Sequence, residues 1–246
     1  MLLLCLLAIF FSCNEIQFNK EFYSNGNIKK KTEIDKKGIP NGAYEEYYET
    51  GEVKTKGSCV NGFIEDTLSL YYKNGNLKEK GIASNNLKTG WWSFYSLKSN
   101  LEKRVEYKKL NDSTLFENQI VKYYNDGKIN YNKSWFFQLN LPDTLKLGRN
   151  LGSIKYYSHV DADEKFMYIV IENEYENSII KKDTFTDKIE FSQFGVYANK
   201  LGEMKIKGEI IEQNLLTKKI NKDSSELTIN THTKYFEKNV FVINND

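Results

Sequence analysis

Short runs of alternating apolar and polar residues, broken by glycine, asparagine and aspartate, fill the chain from about residue 20 onward. In "NLKEKGIA", Leu77, Glu79 and Gly81 share one side, and Lys78 and Lys80 share the other. In "GWWSFYS", Trp91, Ser93 and Tyr95 oppose Trp92 and Phe94. Alternation over such short runs, bounded by turn formers, predicts β-hairpins. Asn25-Gly26, Asn74-Gly75 and Asp126-Gly127 are expected to make two-residue hairpin turns. After Ser134 seven more strands are expected: "SWFFQLNL", "SIKYYSHV", "KFMYIVIENEY", "DKIEFSQFGVYA", "EMKIKGEIIEQ", "ELTINTHTKYF" and "NVFVIN". Their spacing predicts a β-sandwich of immunoglobulin-like type, with a jelly-roll or half-barrel fitting almost as well. No convincing helix appears. The expected class is all-β: a meander of repeated hairpins, then a β-sandwich.

The hairpins repeat. Aligned on a double aromatic, the copies begin at Phe22, Tyr47 and Tyr71, a worn copy begins at Tyr95, and a fragment begins at Tyr123. One turn column reads Gly26, Gly51, Gly75, Asn100 and Gly127; a second reads Gly42, Asp66, Gly90 and Asn118. Glycine, asparagine and aspartate tolerate positive φ, so each presumed turn holds a residue able to make it. A lone hairpin is marginal in water. Ordering each residue costs roughly 1–2 kcal/mol of backbone entropy, so hairpins must stack and share aromatic faces.

The copy "YYKNGNLKEKGIASNNLKTGWWSFY" resembles the bacterial variant of the MORN repeat, with its aromatic-Tyr-x-Asn-Gly-x-Leu/Ile-Lys start, mid-repeat Gly and Gly-x-Trp end. The second copy departs at Asp66 and Leu68, and the first carries a two-residue insertion. The resemblance covers roughly residues 20–133. It implies an extended β-meander used as a scaffold or binding surface, and relatives of this kind are often lipoproteins.

The chain opens "MLLLCLLAIFFSC", whose ten apolar residues from Leu2 to Phe11 are too few to span a bilayer, which takes about 20. The run fits the apolar core of a secretory signal. A small residue followed directly by Cys13 resembles a lipoprotein signal, although no Lys or Arg precedes Leu2. The resemblance implies acylation of Cys13, and two or three acyl chains anchor a protein stably. Cys5 would leave with the signal, so Cys59 would remain alone, without a disulfide, as a small buried hydrophobe. The expected divisions are 1–12 signal peptide, 13–20 tether, 21–133 repeats and 134–246 sandwich. The expected location is the bacterial cell envelope, on the outer membrane.

The net charge of +2, spread as +4 over residues 14–133 and −2 over 134–246, argues against a nucleic-acid partner. Only two histidines occur, and "HVDAD" would place His159, Asp161 and Asp163 together if extended, though a polar strand end explains it better. "SIIK" at Ser178 and "KTG" at Lys88 stand in the wrong order for a penicillin-recognising enzyme. No glycine-rich phosphate loop, Cys-x-x-Cys or Gly-x-Ser-x-Gly is present. We therefore expect no catalytic residues, metal or cofactor. Tyr47, Tyr48, Tyr71, Tyr72, Trp91, Trp92 and Tyr95 read first as filler between stacked hairpins. If one of each pair faces outward, they form a binding strip for a protein or glycan. The expected function is a non-enzymatic scaffold or binding module. The alternatives are an envelope glycan hydrolase with scattered carboxylates and an immunity- or antitoxin-like binder.

Overall fold

The computed structural model describes residues 16–109, 115–175, 179–186 and 190–244. The expected signal over 1–12, Cys13 and Ser178 lie outside them. The described chain is almost entirely β-strand. Strands β1 (Gln17–Phe22), β2 (Ile28–Ile34), β3 (Pro40–Tyr47), β4 (Val53–Val60), β5 (Phe63–Tyr71), β6 (Leu77–Ser84), β7 (Leu87–Tyr95), β8 (Leu101–Lys109) and β9 (Leu115–Lys122) follow one another in a nine-stranded meander. By contact density the chain divides into two compact units. The first ends at Lys88 and takes in Leu97–Ser99; the second holds Thr89–Ser96 and everything from Asn100.

The turns explain the repeated letters, with corrections to the expected geometry. At the first turn Tyr23 N–H donates to Asn27 O (2.8 Å) and Gly26 N–H to Tyr23 O (3.0 Å). The same pair of bonds recurs around Gly51, Gly75 and Gly127. These are three-residue loops ending on a left-handed glycine (Gly75, φ +82), not two-residue turns. A two-residue type I′ turn needs positive φ at both central residues, and Asn25, Asn74 and Asp126 do not have it. The two-residue turns are Asn61-Gly62 and Asn85-Asn86, where both residues do. In the worn copy the positive φ falls on Ser99, one residue before the expected Asn100, and Ser96 N–H donates to Asn100 O to close that loop. The second column is not a column of turns. Gly42, Asp66 and Gly90 do have positive φ, yet they and Asn118 sit inside strands. At Gly42, Asp66 and Asn118 the pairing register slips, so these positions are bulges.

Within the first unit, successive copies are stitched at the turn end. Tyr23 donates to Tyr47 O (2.8 Å) and Tyr48 to Tyr71 O (2.7 Å), each about one repeat onward. Asn27 donates to Glu49 O and Asn76 to Leu97 O, both at 2.8 Å. The "Tyr…Asn-Gly-Asn" signature is therefore a set of contacts between neighbouring copies. Each such bond contributes about 0.5–1.5 kcal/mol net. Tyr44 and Cys59 are buried on the same unit, with burial raising the Cys59 thiol pKa.

In the second unit, after the short 3₁₀ turn Tyr131–Lys133, the chain builds two sheets. One has three strands in the order β10 (Phe136–Asn140), β12 (Gly148–Tyr157), β15 (Phe191–Ala198). The other runs β11 (Thr144–Lys146), β17 (Ser225–Ile243), β16 (Gly202–Lys219), β13 (Glu164–Tyr175), β14 (Ile179–Thr186). Ile154 and Phe194 from the first sheet and Ile169, Ile171, Ile206, Ile210 and Phe236 from the second fill one sandwich core. Strands β11 and β14 were not expected, and the last two expected strands are one continuous β17. Two glycines make room for rings. A Cβ on Gly152 would lie 2.4 Å from the ring of Phe194, and one on Gly208 would lie 2.4 Å from that of Phe236. Each glycine faces its phenylalanine across the ladder, so the ring covers bare backbone.

Candidate functional site

The expected aromatic strip is largely spoken for. In the first unit, Tyr47 donates to Glu45 Oε2 (2.6 Å), a bond that with some burial pushes its hydroxyl up to about 12 and holds the Glu45 carboxyl below its usual range. Tyr48 bonds the carbonyl of Tyr71, and its ring lies 5.7 Å from Lys73 Nζ. Tyr72 closes its turn through its backbone, with Lys78 Nζ 5.9 Å from its ring. All four tyrosines are half-buried. In the second unit, Trp91 is half-buried under the Arg104 guanidinium at 4.9 Å. Trp92 is wholly buried, and Tyr95 ends β7 opposite Leu101.

Within the second unit, two asparagines close sheet edges. Strand β15 is an outer strand, and Asn173 of β13 reaches it with its side chain. Tyr197 N–H donates to Asn173 Oδ1 (2.9 Å), and Asn173 Nδ2 donates to Gly195 O (3.3 Å). Strand β17 is unpaired by β11 at Tyr235, and there Asn118 plays the same part. Asn118 Oδ1 accepts from Tyr235 N–H (2.7 Å), and its Nδ2 donates to Tyr235 O (2.8 Å). A side-chain amide thus replaces a strand where backbone groups would otherwise be free.

Beside Asn173 opens a cleft of about 730 Å³ between the sheets. Tyr175 and Tyr197 stack at 4.8 Å with 27° between their planes. Tyr175 donates to Asp183 Oδ2 (2.6 Å), and Asn173 Nδ2 donates to the same oxygen (2.7 Å). These two bonds hold the Asp183 carboxyl below the usual range and keep it ionised. Arg149, Lys181 and Leu151 complete the rim, and Leu151 is 70% exposed.

A second cavity, of about 600 Å³, lies against the 3₁₀ turn. Tyr157 stacks on Phe136 (4.5 Å, 12°) and meets Tyr131 (5.0 Å). Asp161, Glu190, Lys155, Lys165 and His159 line it.

Behind this cavity is a buried polar cluster that the sequence reading missed. Glu212 is 0% exposed and Lys234 is 1% exposed. Glu212 Oε2 accepts from Trp135 Nε1 (2.9 Å) and from the Tyr156 hydroxyl (2.8 Å). Lys234 Nζ donates to Asn118 O (2.7 Å) and sits 3.6 Å from the centre of the Trp135 ring. The indole thus takes the cation on its face and the carboxylate on its N–H edge. Burial lowers Lys234 to about 7, against the pull of Glu212 and Glu106. His159 and His232 abut the same indole edge-on, at 6.1 and 4.7 Å. Asp163 accepts from Thr217 N–H (2.6 Å). Among the described residues no three His, Cys, Asp or Glu side chains are grouped to hold a metal. Strand parity would have exposed this cluster: Ile206, Gly208 and Ile210 face inward, so Glu212 and Asn214 do as well.

No family model, no curated protein and no solved structure matches the chain.

Proposed function

We propose that the chain is a cell-envelope lipoprotein, anchored through lipid on Cys13, that acts as a non-enzymatic binding module for a protein or glycan. The repeats over 21–133 serve as its scaffold and the segment 134–246 carries the binding surface. The observation that supports this reading is the cleft at Tyr175 and Tyr197. It combines stacked rings, a carboxylate tied by two hydrogen bonds and two cationic side chains, Arg149 and Lys181, in one concavity. Sites of this make-up bind and orient ligands. The test is retention of a partner or glycan from an envelope extract on the lipid-free chain, residues 14–246, identified by mass spectrometry. Specific retention lost when Tyr197 is replaced by serine supports the reading; no retention overturns it. Retention of one tight protein partner through another surface would favour the immunity-like alternative. Labelling with an acyl-chain analogue tests the anchor, with label lost in Cys13→Ala expected and label kept refuting it.

One observation favours a second reading, a glycan hydrolase: Asp161 and Glu190 line the same cavity beside the Tyr131–Tyr157 rings. Release of reducing ends from oligosaccharides, abolished by Asp161→Asn or Glu190→Gln, would establish it over the binding module.

A further inference from the structure

The ligand of the Tyr175–Tyr197 cleft can be narrowed by asking which of its groups are already occupied. A peptide entering a cleft beside an outer strand ordinarily binds by adding a strand to it, through backbone hydrogen bonds. Here the outward Tyr197 N–H and Gly195 C=O of β15 are taken by Asn173, itself buried. On its β15 side the cleft therefore recognises its ligand through side chains. Those side chains divide by chemistry. The tyrosines stack on each other, and with the exposed Leu151 they give the cleft an apolar aromatic surface of the kind that accepts the C–H face of a sugar ring. Asp183 spends Oδ2 on Tyr175 and Asn173, while Oδ1 has no hydrogen-bond partner among the described residues and can accept from hydroxyls. Arg149 is exposed and has no ion pair or hydrogen bond from its guanidinium among the described residues. Its planar fork matches a carboxylate with two parallel bonds. Lys181 adds a second cation and lies 5.7 Å from the Tyr175 ring. The rim thus carries two cations against one carboxylate.

We infer that this cleft is a saccharide subsite for sugars bearing a carboxylate, the ring lying against Tyr175 and Tyr197, its hydroxyls on Asp183 and its acid group on Arg149. The inference rests on the reading of the chain as a binding module and gives that module a ligand class. Binding is non-covalent; no bond is made or broken.

The test is calorimetric titration of the full chain, kept in detergent, with tetramers of galacturonate, glucuronate and mannuronate and with the matching galactose, glucose and mannose tetramers. At least one acidic tetramer is expected to bind, with its neutral counterpart about tenfold weaker or worse, the size of one charge-assisted contact. Arg149→Gln is expected to remove that preference while leaving the thermal midpoint unchanged, because Arg149 is exposed and its guanidinium has no ion pair or hydrogen bond among the described residues. Tyr197→Ser is expected to weaken acidic and neutral sugars alike, with folding checked by circular dichroism. Equal binding of acidic and neutral tetramers overturns the carboxylate assignment and leaves the binding module standing. Binding of none of the six overturns the saccharide subsite, and retention of a partner from the envelope extract then separates that failure from failure of the binding module itself.

Discussion

Lys234→Met should erase a pH dependence of stability that the wild-type chain carries. The Lys234 ammonium is almost fully buried among Trp135, Asn118 and the sandwich core, and burial draws its pKa down to about 7. In the unfolded chain a lysine titrates near 10.4. The folded pKa is therefore the depressed one. Between about pH 7 and 10.4 the unfolded chain holds a proton that the folded chain has released, so stability rises with pH across that window. Below pH 7 both forms are protonated and the dependence vanishes. The limiting slope is about 1.4 kcal/mol per pH unit, and integration from pH 6 to 9 gives a gain of about 2–3 kcal/mol. Groups on the neighbouring elements face the same site: Glu212 and His232 from the β16–β17 ladder, Glu106 from β8, His159 before β13 and Tyr156 from β12. They are retained in the variant, as is Cys59, so every contribution that does not depend on the Lys234 charge cancels when wild type and Lys234→Met are compared. All three tryptophans, Trp91, Trp92 and Trp135, lie in the second unit, so indole fluorescence during urea unfolding reads that unit. The wild-type midpoint should climb from pH 6 to 9 and the Lys234→Met midpoint should not. Parallel curves for the two proteins would refute the argument, because they would place the ammonium in contact with water.

Gly208→Ala should destabilise the sandwich by about 1–3 kcal/mol, since the new methyl meets the buried Phe236 ring and Ile171 at once; a thermal midpoint equal to wild type would contradict the packing. Tyr48→Phe should cost about 0.5–1.5 kcal/mol in the first unit by leaving Tyr71 O without its hydroxyl donor, read as faster amide exchange around the Tyr48 and Tyr72 turns with no change near Trp135. Asn173→Ala should cost about 1–3 kcal/mol and expose the Tyr197 amide to exchange, because the Tyr197 N–H and Gly195 C=O lose their partner together. Ser99→Gly should stabilise the worn copy slightly, by up to about 1 kcal/mol, as φ +65 suits glycine better than serine; a loss of stability there would mean that the Ser99 side chain has a role of its own.

The features legible in the sequence were those set by near neighbours. Alternation in "NLKEKGIA" marked β6 with the correct faces, "EMKIKGEIIEQ" marked β16, and the recurring glycines marked the turn-bearing copies. Ser99 is not legible because serine does not favour positive φ, and this copy holds it there against its preference, with its loop closed by Ser96 and Asn100. Gly42 and Asp66 were recognised as positions of positive φ but not as bulges, because a bulge is defined by the register of a partner strand and not by its own letters. Strand β14, "IIKKDTFT", alternates in burial only from Asp183 onward and leaves Ile179 and Ile180 exposed, so its letters carry little pattern. The cluster of Asn118, Trp135, Tyr156, Glu212 and Lys234 joins residues more than 100 positions apart. Lys234 and Glu212 sit at inward positions where an apolar residue would be the ordinary choice, so composition hid them and only parity pointed to them.

The two edge-closing asparagines connect that architecture to the recognition proposed for the cleft. An outer strand with free N–H and C=O groups invites another strand, from a partner or from a second copy. Asn118 and Asn173 remove that option at Tyr235 and at Gly195–Tyr197, each by presenting a donor and an acceptor at peptide spacing. Asn173 does more, because its remaining Nδ2 hydrogen orients Asp183 beside the stacked tyrosines. The residue that closes the strand to backbone pairing is thus the residue that arms the cleft with a fixed carboxylate. Backbone pairing tolerates many sequences, whereas a carboxylate, two cations and a ring wall discriminate by chemistry. If Asn173 were there for edge protection alone, Asn173→Ser with Tyr197 packing intact would loosen β15 and leave ligand affinity unchanged. If it serves both ends, affinity and edge protection fall together, and a double variant with Asp183→Asn loses no more affinity than the worse of the two single changes.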